Sequence, residues 1–169
     1  MGVITTYLMF PDKFSLSFME ETAIDYPIAA LVLYYLIISF KGLTLMPGSP
    51  VLLAGMLIFN PVEVFLANMA GIMTSSLLVY YFSKYLEFDV FFEKKYHKHI
   101  HKIKSQLMDK ELPIIIGWSF FPFAPTDIIV YVGSTLQINV FRCLIGVFIG
   151  EAIINAFYIF SVSMLLKGS

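Results

Sequence analysis

Residues 112–136 read LPIIIGWSFFPFAPTDIIVYVGSTL, an apolar run long enough to cross a bilayer but interrupted by Pro113, Pro122 and Pro125. A helical crossing takes about 20 apolar residues. An interior proline removes a backbone hydrogen bond and clashes with the preceding turn, so one straight helix is not expected. In hydrocarbon the freed carbonyls need partners, and broken helices persist only where protein or a water-filled cavity surrounds them. The reading is a re-entrant hairpin. Residues 41–61, KGLTLMPGSPVLLAGMLIFNP, repeat the pattern with Pro47, Pro50 and Pro61. The expected hairpin tips are Pro47–Pro50 and Pro122–Pro125.

Outward from these segments lie runs that can span without a break. Residues 62–86 form one, and residues 138–166 form another, interrupted only by the charges Arg142 and Glu151. Residues 28–40 are apolar but short, so a span there borrows from Ile24 or runs past Lys41 to Met46. Charged residues make up 14% of the 169-residue chain and hydrophobic ones 59%, against about 25% and 45–50% in soluble domains. A mean hydropathy of +0.81 agrees. The expected fold is an all-α membrane protein in a single domain, residues 1–169. It divides into a lead-in (1–27), a first hairpin plus span (41–86), an amphipathic helix (90–111) and a second hairpin plus span (112–166).

The ends and the middle carry weaker signals. The N-terminus lacks a basic region and a cleavage site, so no cleavable signal peptide is expected. Gly2 and Thr6 fit a loose myristoylation pattern, but a chain that inserts into membrane needs no such anchor. In residues 90–111, Phe92, Tyr96, Ile100, Ile103 and Leu107 recur at helical spacing,. Lys94, Lys95, Lys98, Lys102 and Lys104 fill the rest of that surface. A basic amphipathic helix lies in the membrane plane, and the positive-inside rule puts it on the cytoplasmic side. Of His97, His99 and His101 only the first and last share a helical face, so a solvated basic face is expected rather than a metal site. A net charge of −1 implies no nucleic-acid partner. The single cysteine, Cys143, excludes an internal disulfide and a cysteine zinc cluster.

Sliding the chain against itself by 75 positions brings Gly42 onto Gly117, Pro47 onto Pro122, Pro50 onto Pro125 and Gly71 onto Gly146. Ser75 then falls on Gly150, aligning two small-xxx-small pairs that mark close helix packing: Gly71/Ser75 and Gly146/Gly150. Gly55 and Gly133 match only after a three-residue shift. Each half reads as a hairpin followed by a span. Because the second half starts from the side where the first ends, the halves insert in opposite directions, as an inverted repeat. Transporters use that arrangement and bind substrate near the bilayer midplane.

At these residues the chain resembles the DedA/VTT family, the SNARE-associated Golgi proteins. MPGSPVLLAGMLIFNP (46–61) resembles the family's Pro-Gly hairpin, and YYFSKYLE (80–87) its tyrosine-rich helix end. FFPFAPTDIIVYVGSTLQINVFRCLIGVFIG (120–150) resembles its most recognisable segment, with Pro122, Pro125, Tyr131, Gly133, Phe141, Gly146 and Gly150 in the pattern. The resemblance implies a polytopic lipid-handling protein. Eukaryotic relatives scramble phospholipids, and bacterial relatives return polyprenyl-phosphate carriers with ion coupling. Bacterial members usually hold an acid where this chain has Ser49 and Pro50, and arginines where it has Ser119 and Pro125. Those losses favour passive scrambling over ion-coupled transport of a polyprenyl-phosphate or other small anion. A non-transporting scaffold is the third reading.

Ionisable groups inside a membrane are costly, so each is a candidate for function. Asp127 follows the second tip and shares a helical face with Tyr131. Glu151 lies near the middle of the last span, with Asn155 one turn on. Arg142 and Glu151 are nine residues apart, on opposite helical faces, so Arg142 is expected to meet Asp127 or reach headgroups. Glu63 and Lys84 read as interfacial anchors. The expected groove is lined by Ser49, Asn68, Asp127, Arg142, Glu151 and Asn155. No Ser/His/Asp arrangement, nucleotide loop or metal spacing appears, so neither enzyme activity nor a cofactor or metal is expected. Membrane lipids are the expected partners, and a homo-oligomer stays open. The expected location is a cell membrane, or an endomembrane in a eukaryote, crossed more than once.

Overall fold

The computed structural model describes residues 26–44, 48–86, 110–121 and 125–167, and every regular element among them is helical. The expected lead-in, the helix at 90–111 with its three histidines, and the tip residues Pro47 and Pro122 lie outside the described residues.

Proline and a carboxylate cap set several helix starts. Helix α1 (Pro27–Lys41) opens on a proline, whose missing N–H costs nothing at a first helical position,. A 3-10 turn, Gly42–Thr44, continues it. Helix α2 (Ser49–Ile58) carries Pro50 in its first turn. Helix α3 (Pro61–Tyr85) again opens on proline, and the Glu63 carboxylate accepts a bond from the Asn60 N–H at 3.2 Å. Glu63 therefore closes a helix start. Helices α4 (Glu111–Ser119), α5 (Thr126–Thr135) and α6 (Val140–Lys167) complete the order. Gln137, at φ 57°, ends α5 in the left-handed region. The bonds Ile138 N–H to Gly133 O and Gln137 N–H to Ser134 O close a Schellman turn there,.

Three stretches are long and apolar enough to cross a membrane: Pro27–Thr44, Pro61–Tyr85 and Val140–Met164. At 1.5 Å per residue the 25 residues of α3 reach about 37 Å, beyond the roughly 30 Å of a hydrocarbon core,. The outward faces carry Leu66, Phe141, Phe157 and Met164, each more than 60% exposed within the chain. Apolar surface on that scale needs lipid or another protein against it.

The long helices α3 and α6 run antiparallel. Phe65 meets the ring of Phe160, Asn68 bonds Asn155, and the Tyr80 hydroxyl donates to the Ile138 carbonyl at 2.6 Å. Helix α1 lies along α3 in the same direction, since Tyr34 reaches Asn68, Ile38 packs on Gly71, and Gly42 packs on Ser75. Helix α4 lies along α6 in the same way, with Ile115 on Gly146 and Ser119 on Gly150. A Cβ at Gly71 would sit 2.6 Å from Ile38, and one at Gly146 would sit 2.6 Å from Ile115. The small-xxx-small pairs thus seat α1 and α4 on the long helices.

Helices α2 and α5 turn back. Gly55 and Phe59 return past Tyr34 of α1. Asp127, at the start of α5, meets Ser75 near the middle of α3, and Ser134 reaches the Tyr80 carbonyl. The α1–α2 and α4–α5 pairs therefore approach mid-length from opposite ends of the long helices.

Two expectations change in detail. The incoming arm of the first pair starts at Pro27, not at residue 41. Lys41, which the sequence offered only as a residue that a span could run past, is the last residue of a continuous helix and is buried in an ion pair. Ser119, not Gly117, takes the place that Gly42 has in the first half. A Cβ at Gly117 would meet nothing within 4 Å among the described residues, so that glycine packs on none of them.

Candidate functional site

A cavity of about 70 Å³ opens where the ends of α1 and α4 and the starts of α2 and α5 converge on α3 and α6. That is room for about two water molecules at their liquid volume. Its walls include Lys41, Ser49, Asn68, Ser119, Thr126, Glu151 and Asn155, with Ile72, Phe121 and Tyr158 among them.

Two hydrogen-bonded clusters build the polar wall. In the first, the Lys41 ammonium lies 3.1 Å from Oδ2 of Asp127, and both side chains are less than a tenth exposed. Ser75 donates to the other carboxylate oxygen, Oδ1, at 3.1 Å. Gly42 makes this possible: a Cβ there would stand 2.4 Å from Asp127 Oδ1 and 2.2 Å from Ser75 Oγ. In the second cluster Thr126 donates to Oε1 of Glu151, and Asn155 donates to Oε2 at 2.7 Å. Asn68 donates to Asn155 at 2.9 Å, and Tyr34 donates to Asn68 at 3.2 Å. All donors in this chain point toward Glu151, as suits a carboxylate that only accepts. Thr126 and Asp127 are adjacent, so the start of α5 joins the two clusters.

Of the groove residues expected from sequence, Ser49, Asn68, Glu151 and Asn155 line the cavity. Asp127 is buried beside it, behind Lys41. Arg142 is elsewhere: its guanidinium is 64% exposed and pairs with Glu111 at 2.9 Å, near the far ends of α4 and α6. The expected Arg142–Asp127 meeting does not occur, because Asp127 has Lys41. Pro50 and Pro125 stand at the starts of α2 and α5. Lys84 lies over the Tyr80 ring at 5.1 Å, near the end of α3.

Sequence reasoning missed Lys41, Thr126 and Tyr34. The signal for Lys41 was present as an ionisable residue closing an apolar run. Ser119 is also buried in the wall, and its hydroxyl has no partner among the described residues. Among the described residues no three metal-ligating acids, histidines or cysteines gather.

Bilayer-length helices with lipid-type surfaces, and charged groups buried where the shorter pairs turn, define a multi-pass helical membrane protein. Residues 46–164 match the VTT domain, more than half the chain, and the protein belongs to that family, whose domain is that of the DedA/SNARE-associated Golgi proteins. Its members are membrane proteins of transport-related function. No curated protein and no solved structure compared with this chain matches it.

Proposed function

We propose that the protein moves phospholipid between the two leaflets by passive scrambling, through the polar cavity where its two helix pairs meet. In this reading α1–α2 and α4–α5 are re-entrant hairpins entering from opposite sides, and the two halves form an inverted repeat. The matched seating of Ile38 on Gly71 and of Ile115 on Gly146 supports that reading.

The observation that carries it is the Lys41–Asp127 pair beside Glu151, at mid-length of helices otherwise faced with apolar side chains. A headgroup crossing bare hydrocarbon loses its hydration without compensation. A cavity with water-sized space and fixed polar partners lowers that barrier while the acyl chains stay in lipid. Nothing covalent is required.

A second reading, ion-coupled transport of a polyprenyl-phosphate or other small anion, draws on the two carboxylates Asp127 and Glu151 in one polar cluster. Fluorescent phospholipid and a labelled polyprenyl-phosphate, each followed in proteoliposomes, separate the two. Scrambling equilibrates the label with no gradient imposed, whereas coupled transport needs a pH or sodium gradient. Absence of movement under both conditions would leave the scaffold reading.

A further inference from the structure

We propose that the cavity selects headgroups carrying both a phosphate and an ammonium, the phosphate at Lys41 and the ammonium at Glu151. The inference rests on the lipid-moving reading above and names its substrate class.

Charge accounting leads to it. The cavity region holds one cation and two carboxylates among the described residues: Lys41, Asp127 and Glu151. Asp127 balances Lys41 and is itself held by Ser75. Glu151 makes no ion pair among the described residues, and its two bonded neighbours, Thr126 and Asn155, are neutral. A carboxylate accepts about four hydrogen bonds, and the side chains of Thr126 and Asn155 supply two. An ammonium placed here answers both the charge and the unfilled lone pairs. The rings of Phe121 and Tyr158 line the same cavity and suit a cation further,.

The other end suits a phosphate. Asp127 takes one of the three N–H donors of Lys41,, and a phosphate oxygen can take another without breaking the pair. Displacing Asp127 instead would strand a buried charge, which is costly. Helix α2 begins at the cavity wall beside Lys41, preceded by Gly48, which has no side chain able to cap it. Helix starts carry partial positive charge and attract phosphate. A headgroup that is anionic overall and lacks an amine would bring its charge toward Glu151 with nothing to offset it.

The test uses purified full-length protein in vesicles carrying acyl-chain-labelled phosphatidylethanolamine, phosphatidylcholine or phosphatidylglycerol, with dithionite bleaching as the readout. Ethanolamine lipid should move about tenfold faster than glycerol lipid, the worth of one charge-assisted hydrogen bond. Glu151→Gln should bring that ratio close to one. Choline lipid moving like ethanolamine lipid assigns recognition to charge; choline lipid moving slowly assigns it to the N–H donors. Equal rates for ethanolamine and glycerol lipids in the wild type overturn the proposal, as does a ratio unchanged in Glu151→Gln. Should that variant not fold, the wild-type ratio decides. If no lipid moves, the lipid-moving reading fails, and native mass spectrometry with equimolar ethanolamine and glycerol lipids decides this one. Retention of ethanolamine lipid in preference supports it, and equal retention overturns it.

Discussion

The Lys41 ammonium, at the end of α1, sits 3.1 Å from the Asp127 carboxylate at the start of α5, across 86 positions of sequence. The contact ties the first helix pair to the second at mid-length of the long helices. Both side chains are nearly inaccessible, so the pair is weakly screened and each charge depends on the other.

Removing one partner should therefore cost much more than removing both. Lys41→Met or Asp127→Leu alone should destabilise the protein by about 3–5 kcal/mol, because a buried charge is left unpaired. The double substitution Lys41→Met with Asp127→Leu should recover a large part of that loss. Thermal unfolding in detergent, followed through the single tryptophan Trp118, reads the effect. Additive losses in the double variant would mean that the pair is not coupled.

Close packing gives a second prediction, with a control inside the same region. A Cβ at Gly150 would stand 2.7 Å from the Ile116 carbonyl oxygen and 2.6 Å from Ser119 Cβ, so Gly150→Ala must push α4 away from α6. Overpacking of this kind costs about 1–3 kcal/mol. At Gly117 no described residue comes within 4 Å of an added Cβ, and Gly117→Ala should be neutral or stabilising by up to about 1 kcal/mol, the helix-propensity difference,. Equal melting temperatures for the two variants would contradict the packing described.

Much of this architecture is legible in sequence because membrane physics leaves few alternatives. The apolar runs that became α3 and α6, and the prolines that start α2 and α3, follow from length and from the missing proline N–H. Asn155 stands one turn beyond Glu151 and donates to it, a relation that helical spacing makes visible. Lys41 was hidden for a physical reason. A charge at the edge of an apolar run reads as the membrane surface, and only its partner, far away in the chain, makes it an interior residue. Arg142 misled in the opposite sense, since its partner Glu111 closes the segment read as the amphipathic helix at 90–111. Pairings between distant segments leave no periodicity to detect.

Topology offers the third prediction. In a Cys143→Ala background, single cysteines at Tyr26 and Asn60 should react from one side of the membrane. Cysteines at Lys110 and Gln137 should react from the other. All four positions are exposed in the structure. Labelling of positions 26 and 60 from opposite sides would make the first helix pair a full crossing and end the inverted-repeat reading.

The central claim is that this chain gives phospholipid headgroups a polar path across the bilayer, and one measurement meets it directly. Purified protein is reconstituted into vesicles holding a trace of acyl-labelled phospholipid in both leaflets, and dithionite is added outside. Wild-type protein should expose the inner-leaflet label without any imposed gradient. Glu151→Leu, which removes both the charge and the bonds from Thr126 and Asn155, should slow that exposure toward the protein-free rate while remaining folded. Inner-leaflet label that stays as protected with wild-type protein as in protein-free vesicles would contradict the account.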